Sequence, residues 1–525
     1  MVYLYTIIIG LVPAVTIYWG SGVPLQHAYT SWIIIAFIIG ILVIIINTSI
    51  KNKEKTGVIV AAISIGFFYF ENFLHIITFI SMALGIIHEK SVIENSIVLP
   101  VVIFIIWLIL LIAITRIIIK SDSITHKCDQ YLRVVSIILL IFMTSGIVMK
   151  IDYSKNNKKY FESILLNNSE LDPHADIAHN CVDNENTPDI YYLIFDGFAG
   201  SRALLKYYDT EILYFIQQLE KRGVYVATES KSNYSMTISS LPSSLNLNYW
   251  DELAKNEFKY IGWVPVIPLL HDNLVSNYLH CKGYDLVTFP SGFWPTEDFK
   301  TDIKISPLIY LNEYEENLLL YSPVPRIFPG ILYDNHRNRI NFILNSLKDI
   351  SREEKPVFVI AHILSPHPPF IFDEAGNSIH PQRPYNHFDT DDFRNKGGTT
   401  AEYQEMYSGQ VNHVFDEILD LIDEILLKSE SPPILIIQGD HGPGSMVSMI
   451  DIEESNLDER FSIMNAYYFP DEDYSSLYPS ITPVNTFRVI FNEYFEENLP
   501  LLPDKNYYSL IYRPYEFIDV TEILK

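Results

Sequence analysis

The chain has 525 residues, 49% of them hydrophobic, and a formal net charge of −26. Residues 1–150 carry 9 Lys+Arg against 6 Asp+Glu, so that part is near +3 and the remainder near −29. An acidic region of that size excludes nucleic acid as a partner, because phosphate backbones require a basic footprint. Three cysteines are too few for a disulfide framework or a Cys-based zinc site.

The N-terminal part reads as membrane-spanning. A bilayer core of about 30 Å needs about 20 apolar residues in a helix. Residues 2–19, 31–49, 98–119 and 134–149 fit that requirement, the first and last only marginally. The stretch 57–87 would run about 46 Å as one helix, long for one span and short for two. It carries Glu71 and His75 near its middle. Lys51, Lys53 and Lys55 precede it, and Arg116, Lys120, Lys127 and Arg133 surround the loop before the last span. Both clusters belong on the cytoplasmic side, so an even number of crossings lies between them. The pattern predicts about five spans in a region 1–150, with the N-terminus inside and everything after residue 150 outside the cytoplasmic membrane. The first span lacks the basic start and the cleavage site of a signal peptide and is read as retained. Glu71 and His75 are either part of a transport path or an interfacial kink with an interhelical hydrogen bond, the blander alternative.

Residues 151–188 are polar, without clear periodicity, and read as a linker. From 189 to 525 the pattern is that of an α/β domain. Asp189–Phe195 is an apolar run ending in Asp196-Gly197. Helical stripes follow at 210–222 and 334–350. Val357–His362 reads as a buried strand, 401–428 as the best helix of the domain, and Ile434–Gly439 as another buried strand before Asp440-His441. Continuous apolar strands alternating with amphipathic helices predict a mostly parallel central sheet flanked by helices. Ligand sites in such sheets lie beyond the carboxyl ends of the strands. Asp196, His362 with His367 beyond it, and Asp440 with His441 all arrive at that end.

Asp196, Asp440 and His441 suit a divalent cation such as Zn²⁺ or Mn²⁺. The competing reading of each strand-end Asp is a cap on the next turn or helix. The hydroxyl-rich segment Ser232–Asn246 offers either a nucleophile, which needs a base or a metal to activate it, or a helix start capped by hydroxyls. Cys181 and Cys281 both fall outside the membrane and can pair, though nothing requires it.

The order of strand with Asp-Gly, Thr/Ser segment, His-rich strand exit and strand with Gly-Asp-His-Gly resembles the sulfatase and alkaline-phosphatase superfamily. It looks closest to the membrane-bound branch with five spans, which includes lipoteichoic acid synthases and lipid A phosphoethanolamine transferases. Thr237-Ile-Ser-Ser240-Leu-Pro242 is similar to the T-x-x-S-x-P around the nucleophilic threonine of the latter. Gln438-Gly-Asp440-His441-Gly442-Pro443 resembles the metal-binding Asp-His, and Ser365-Pro-His367-Pro-Pro-Phe370 the place where a substrate-contacting histidine is presented. The resemblance implies that Thr237 is nucleophile and metal ligand, and that Asp196, Asp440 and His441 complete the shell. It implies that His367 contacts the transferred group or assists the leaving group. The implied cofactor is Mn²⁺ or Zn²⁺, with Mg²⁺ or Ca²⁺ as further candidates. The implied substrate is a membrane lipid or envelope glycan.

Departures from the pattern are Asp196 in place of the usual Glu and the absence of any His after His441. Arg460 or Arg488 is then the candidate for anion binding, since Arg forks onto phosphate or sulfate oxygens; Arg460 and His362 are taken as substrate-binding candidates. His362, inside an apolar run, also fits a satisfied core or supporting histidine. The Cys/Ser-x-Pro-Ser-Arg signature of true sulfatases lacks its Cys and Arg, which favours phosphoryl-type transfer over sulfate-ester hydrolysis. The competing classes are an ester hydrolase, a non-catalytic envelope scaffold, and a transporter built on the spans.

Overall fold

The computed structural model describes residues 2–83, 98–167, 187–250, 266–350, 355–381, 383, 385–387 and 389–525. The chain divides into two compact units. One comprises Met1–Asn156, Leu311–Leu332 and Gln382–Pro384; the other comprises Asn157–Tyr310, Tyr333–Pro381 and Tyr385–Lys525.

The first unit is helical. Helices α1 (Val2–Gly20), α2 (Leu25–Ile50), α5 (Val98–Lys120) and α6 (Asp122–Asn167) are each long and apolar enough to cross a membrane. The awkward stretch splits into α3 (Lys53–Phe68) and α4 (Phe70–Ala83), bent by 63° at the break. The bent pair brings the number of spans to five if it crosses as one. Just past the break, the Glu71 N–H donates to the Tyr321 carbonyl at 3.3 Å, outside its own helix. A helix interrupted this way kinks sharply where the ladder is broken. Helix α6 continues through polar sequence to Asn167, so the first part of the segment read as linker is helical. A helix of 46 residues outruns a bilayer core of about 30 Å. Residues 168–186 lie outside the described residues, and with them Cys181 and its possible pairing; residues 251–265 do as well.

The second unit is built on a seven-stranded sheet of order β2-β7-β6-β1-β5-β3-β4. Its strands are β1 (Ile190–Phe195), β2 (Tyr225–Val226), β3 (Asp285–Thr288), β4 (Ile303–Lys304), β5 (Val357–Ile363), β6 (Ile434–Gly439) and β7 (Asn465–Tyr468). The central pairs β6–β1, β1–β5, β5–β3 and β3–β4 are parallel, while β7 runs antiparallel to β6 and to β2. β1, β5 and β6 are buried along their whole length, which explains their unbroken apolar runs. A hairpin of β8 (Tyr507–Leu510) and β9 (Arg513–Asp519) completes the strands.

Side chains alternate across the sheet. Ile190, Tyr192 and Ile194 of β1, Phe358 and Ile360 of β5, and Ile434 and Ile436 of β6 share one core. Leu241 and Leu245 of the helix Thr237–Leu245 join it, as do Phe487, Ile490 and Phe491 of the helix Pro483–Tyr494. Each such residue, fully buried, contributes about 1.5–3 kcal/mol. This core clamps the hydroxyl-rich helix over one face of β6-β1-β5, and the alternation on that face leads on to Asp196 after β1, His362 in β5, and Gln438 and then Asp440 from β6.

Candidate active site

Strand register assembles the site. Phe195 of β1 pairs with Gly439 of β6, so Asp196 and Asp440 leave adjacent strands at one level. Ile194 pairs with His362 of β5 on the other side. One ligand atom from each of Asp196, His362 and Asp440 lies within 4.8 Å of the others, and all three residues are buried. Thr237, the first residue of its helix, brings its Oγ1 to 3.2 Å from His441 Nε2. That nitrogen stands 3.5 Å from Asp196 Oδ1 and 3.6 Å from Asp440 Oδ2. Asp196, Thr237, His362, Asp440 and His441 therefore converge from four separate stretches of chain.

The donor chemistry suits a cation. Asp196 Oδ1, His362 Nε2 and Asp440 Oδ2 are buried and lack hydrogen-bond partners, a state that ordinarily costs about 1–3 kcal/mol per group. The other edge of each residue is anchored. Asp440 Oδ1 accepts from the Gly197 N–H at 3.1 Å and the His441 N–H at 3.0 Å. His441 Nδ1 donates to the Gly442 carbonyl at 2.9 Å, which puts the Nε2 lone pair on the side of the acids. Thr296 Oγ1 donates to the Phe293 carbonyl at 3.1 Å, so it accepts from His362 Nδ1 at 2.9 Å. The His362 Nε2 lone pair then faces Asp196 Oδ2 at 3.5 Å. Ligand atoms about 2.1 Å from a tetrahedral ion sit about 3.4 Å from one another. The separations of 3.2–3.6 Å about His441 match that spacing.

Electrostatics work the same way. Burial by itself would raise the Asp196 pKa, but the opposing interactions, with the charge of His367 first among them, hold the carboxyl well below the usual range. Burial, with the Arg460 charge second, lowers the pKa of His441 and keeps it the neutral imidazole that a metal needs. His367 is also pressed by burial toward the neutral form, yet Asp196 and Asp389 prevail and raise its pKa. His367 is only partly buried, with Nδ1 donating to the Pro368 carbonyl at 2.6 Å and its ring centre 6.2 Å from that of His441.

No family model and no curated protein matches the sequence. Among solved structures, the periplasmic domain of phosphoethanolamine transferase EptC from Campylobacter jejuni matches at 13% identity, over 61% of this chain and 92% of its own, with a TM-score of 0.39. The integral membrane lipooligosaccharide phosphoethanolamine transferase EptA from Neisseria meningitidis matches at 10% identity, over 92% of this chain and 94% of its own, with a TM-score of 0.35. The phosphonate monoester hydrolase of Agrobacterium radiobacter matches at 9% identity, over 61% and 80%, with a TM-score of 0.37. The chain is similar to all three. At these values no residue role passes from them to this chain.

The remaining candidates take other places. Arg460 is buried; its Nε donates to the Ser235 carbonyl at 2.7 Å, and its Nη1 to Asp389 Oδ2 at 2.9 Å and the Gly442 carbonyl at 3.0 Å. It thereby ties the start of the Thr237 helix to the Asp440–His441 loop. Arg488 donates to the backbone carbonyls of Leu247 and Pro500. Two residues at the site escaped sequence reasoning. Thr296 lies in an aromatic and Pro-rich loop, and Asp389 in an irregular stretch without periodicity; neither carries a pattern that marks it.

Proposed function

We propose that this chain is a membrane-anchored, metal-dependent transferase that moves a phosphoryl-type group to an envelope lipid or glycan through a covalent intermediate on Thr237. One observation carries the reading: three buried, unsatisfied ligand atoms from three adjacent strands converge beside a threonine hydroxyl at a helix start. Asp196, Asp440, His441 and Thr237 would hold a divalent ion, with His362 facing Asp196 in the same group. When bound, such an ion acidifies a coordinated hydroxyl and neutralises charge on the transferred group.

The chain's own residues supply the rest. The core beneath Leu241 and Leu245 fixes the Thr237 hydroxyl, so little orientation is left to lose on reaching the transition state. Backbone N–H groups of the first helical turn favour the negative charge of the transferred group. The Thr237 hydroxyl gives its proton to solvent as its oxygen forms the new bond to phosphorus, and the bond from phosphorus to the donor's ester oxygen breaks. His367, beside the group with its Nδ1 donating to the Pro368 carbonyl, protonates the leaving oxygen and takes back a proton from the second hydroxyl. A second hydroxyl then displaces the threonine. Arg460 is assigned a positioning role through Ser235 and Gly442.

The test is the intact mass of the full-length chain, purified with Mn²⁺ or Zn²⁺ and exposed to a membrane lipid extract, for wild type and Thr237→Ala. A mass gain that maps to Thr237 and is lost in the variant supports the mechanism, and its size names the group. A modified lipid or glycan among the products supports transfer, whereas free acid alone supports hydrolysis. No adduct together with no retained metal in native mass spectra supports a non-catalytic scaffold and overturns the proposal.

A further inference from the structure

The segment Leu311–Leu332 belongs to the unit of membrane-type helices, although it lies in sequence between β4 and β5 of the sheet. Its helix Glu313–Leu320 opens with a complete capping box on Asn312, so the segment has a defined fold of its own. Within the unit it makes specific polar contacts at some depth. Trp32 Nε1 donates to Tyr314 Oη at 2.7 Å, and Tyr314 Oη donates to the Ala14 carbonyl at 2.8 Å. Ser31 Oγ donates to Glu315 Oε1 at 2.8 Å. Leu318 is buried in one cluster with Ala14, Ile35, Ile39, Val43 and Val60. Ile35 lies ten residues, about 15 Å, inside α2 from its first residue Leu25.

The segment then meets the broken helix. Arg326 Nη2 stands 2.5 Å from Glu71 Oε1, both side chains largely buried, while the Tyr321 carbonyl takes the Glu71 N–H. Glu71 is thus held by a cation supplied from this segment. An unpaired carboxylate at such a position would be costly, so the ion pair holds both partners in place. Past it, Ile327 and Phe328 are 40% and 61% exposed. Exposed apolar side chains are also what α2 presents outward, at Ile33, Ile34, Phe37 and Ile38. The patch at 327–328 belongs to the same unit as α2.

We propose that residues 311–332 form a re-entrant anchor, locked by the Glu71–Arg326 pair, whose Ile327–Phe328 tip contacts the acyl region of bilayer lipid. The chain that carries the catalytic sheet would then grip the membrane through two attachments, the spans themselves and this internal loop. The inference stands apart from the catalytic reading and survives its failure.

The experiment places the photoreactive residue p-benzoylphenylalanine at position 328 of the full-length chain in phospholipid nanodiscs with a radiolabelled acyl chain. The same residue at position 37 is the lipid-facing control, and at position 512, where Tyr512 is 71% exposed on the β8–β9 hairpin, the aqueous one. The expected result is a lipid adduct at 328 with a yield like that at 37 and severalfold above that at 512. A yield at the level of 512, or a crosslink to protein in place of lipid, overturns the lipid contact. For the lock, Glu71→Ala or Arg326→Ala lowers the yield at 328 severalfold, and the swap Glu71→Arg with Arg326→Glu restores it. Single variants with the full yield, or a swap no better than they are, overturn the ion pair as the lock.

Discussion

Asp389 lies buried between Arg460, 2.9 Å away, and Tyr403, whose hydroxyl donates to it at 2.7 Å. Burial would raise its pKa, but His367, Arg460 and the Tyr403 hydrogen bond outweigh it, so the carboxyl titrates below its ordinary value. A carboxyl with a depressed folded pKa contributes stability above the unfolded value of about 4 and loses it as the pH falls through the folded value. Asp389→Asn is therefore expected to melt at a lower temperature than wild type near pH 7. The gap should narrow steadily below about pH 4. Thermal unfolding of the full-length chain in detergent across that range checks this, and a gap independent of pH would contradict it. At the same scale, Glu459 accepts from the Ser445 N–H at 3.0 Å and the Met446 N–H at 2.9 Å. Its carboxylate fixes the loop that carries Asp440 and His441.

That loop is the element on which the site depends. It leaves β6 at Gly439 and folds back against the helix Leu457–Phe461. The Gly442 N–H donates to the Arg460 carbonyl at 2.7 Å. A Cβ at Gly442 would stand 2.1 Å from the Glu459 carbonyl oxygen and 2.9 Å from that of Ser462. Both obstacles are backbone, so neither can rotate away. Gly442→Ala should cost about 1–3 kcal/mol and shift His441 off its partners. The measurement is metal retained per chain after gel filtration, together with the melting temperature. Full retention at wild-type stability would show that the loop tolerates a displacement the geometry forbids. The Glu-to-loop contacts were not legible in sequence, because Glu459 sits in a short helical turn among exposed acids with no periodic signal. The strands were legible because each is buried on both faces and reads as an unbroken apolar run.

For the whole molecule, charge and hydropathy together orient the chain. The Lys51–Lys55 cluster and the Arg116–Arg133 cluster flank helices able to cross a membrane, and the bias of Lys and Arg toward cytoplasmic loops predicts both on the cytoplasmic side. Cys128 is free and partly exposed near the start of α6, beside the second cluster. A membrane-impermeant maleimide should therefore label Cys128 in inverted vesicles and leave it unlabelled in intact spheroplasts. Labelling from the outside would reverse the topology and move the acidic unit into the cytoplasm.

The sequence by itself determined the long apolar helices, the three central strands and the acids and imidazoles at their ends, but not that Leu311–Leu332 joins the unit of those helices. Those features are local: apolar run length, period and the residue that follows a strand are all written within one stretch of chain. The tertiary structure decided what registers between strands and contacts across hundreds of residues decide. Pairing of Ile194 with His362 brought a residue from an apolar run to the centre of the site. Packing turned Arg460 toward Ser235 and Gly442. The partner of Glu71 proved to be Arg326, 255 positions away in the chain, in a segment whose composition gives no sign of a membrane. Periodicity reports only which face of an element is buried; it is silent on what that face is buried against.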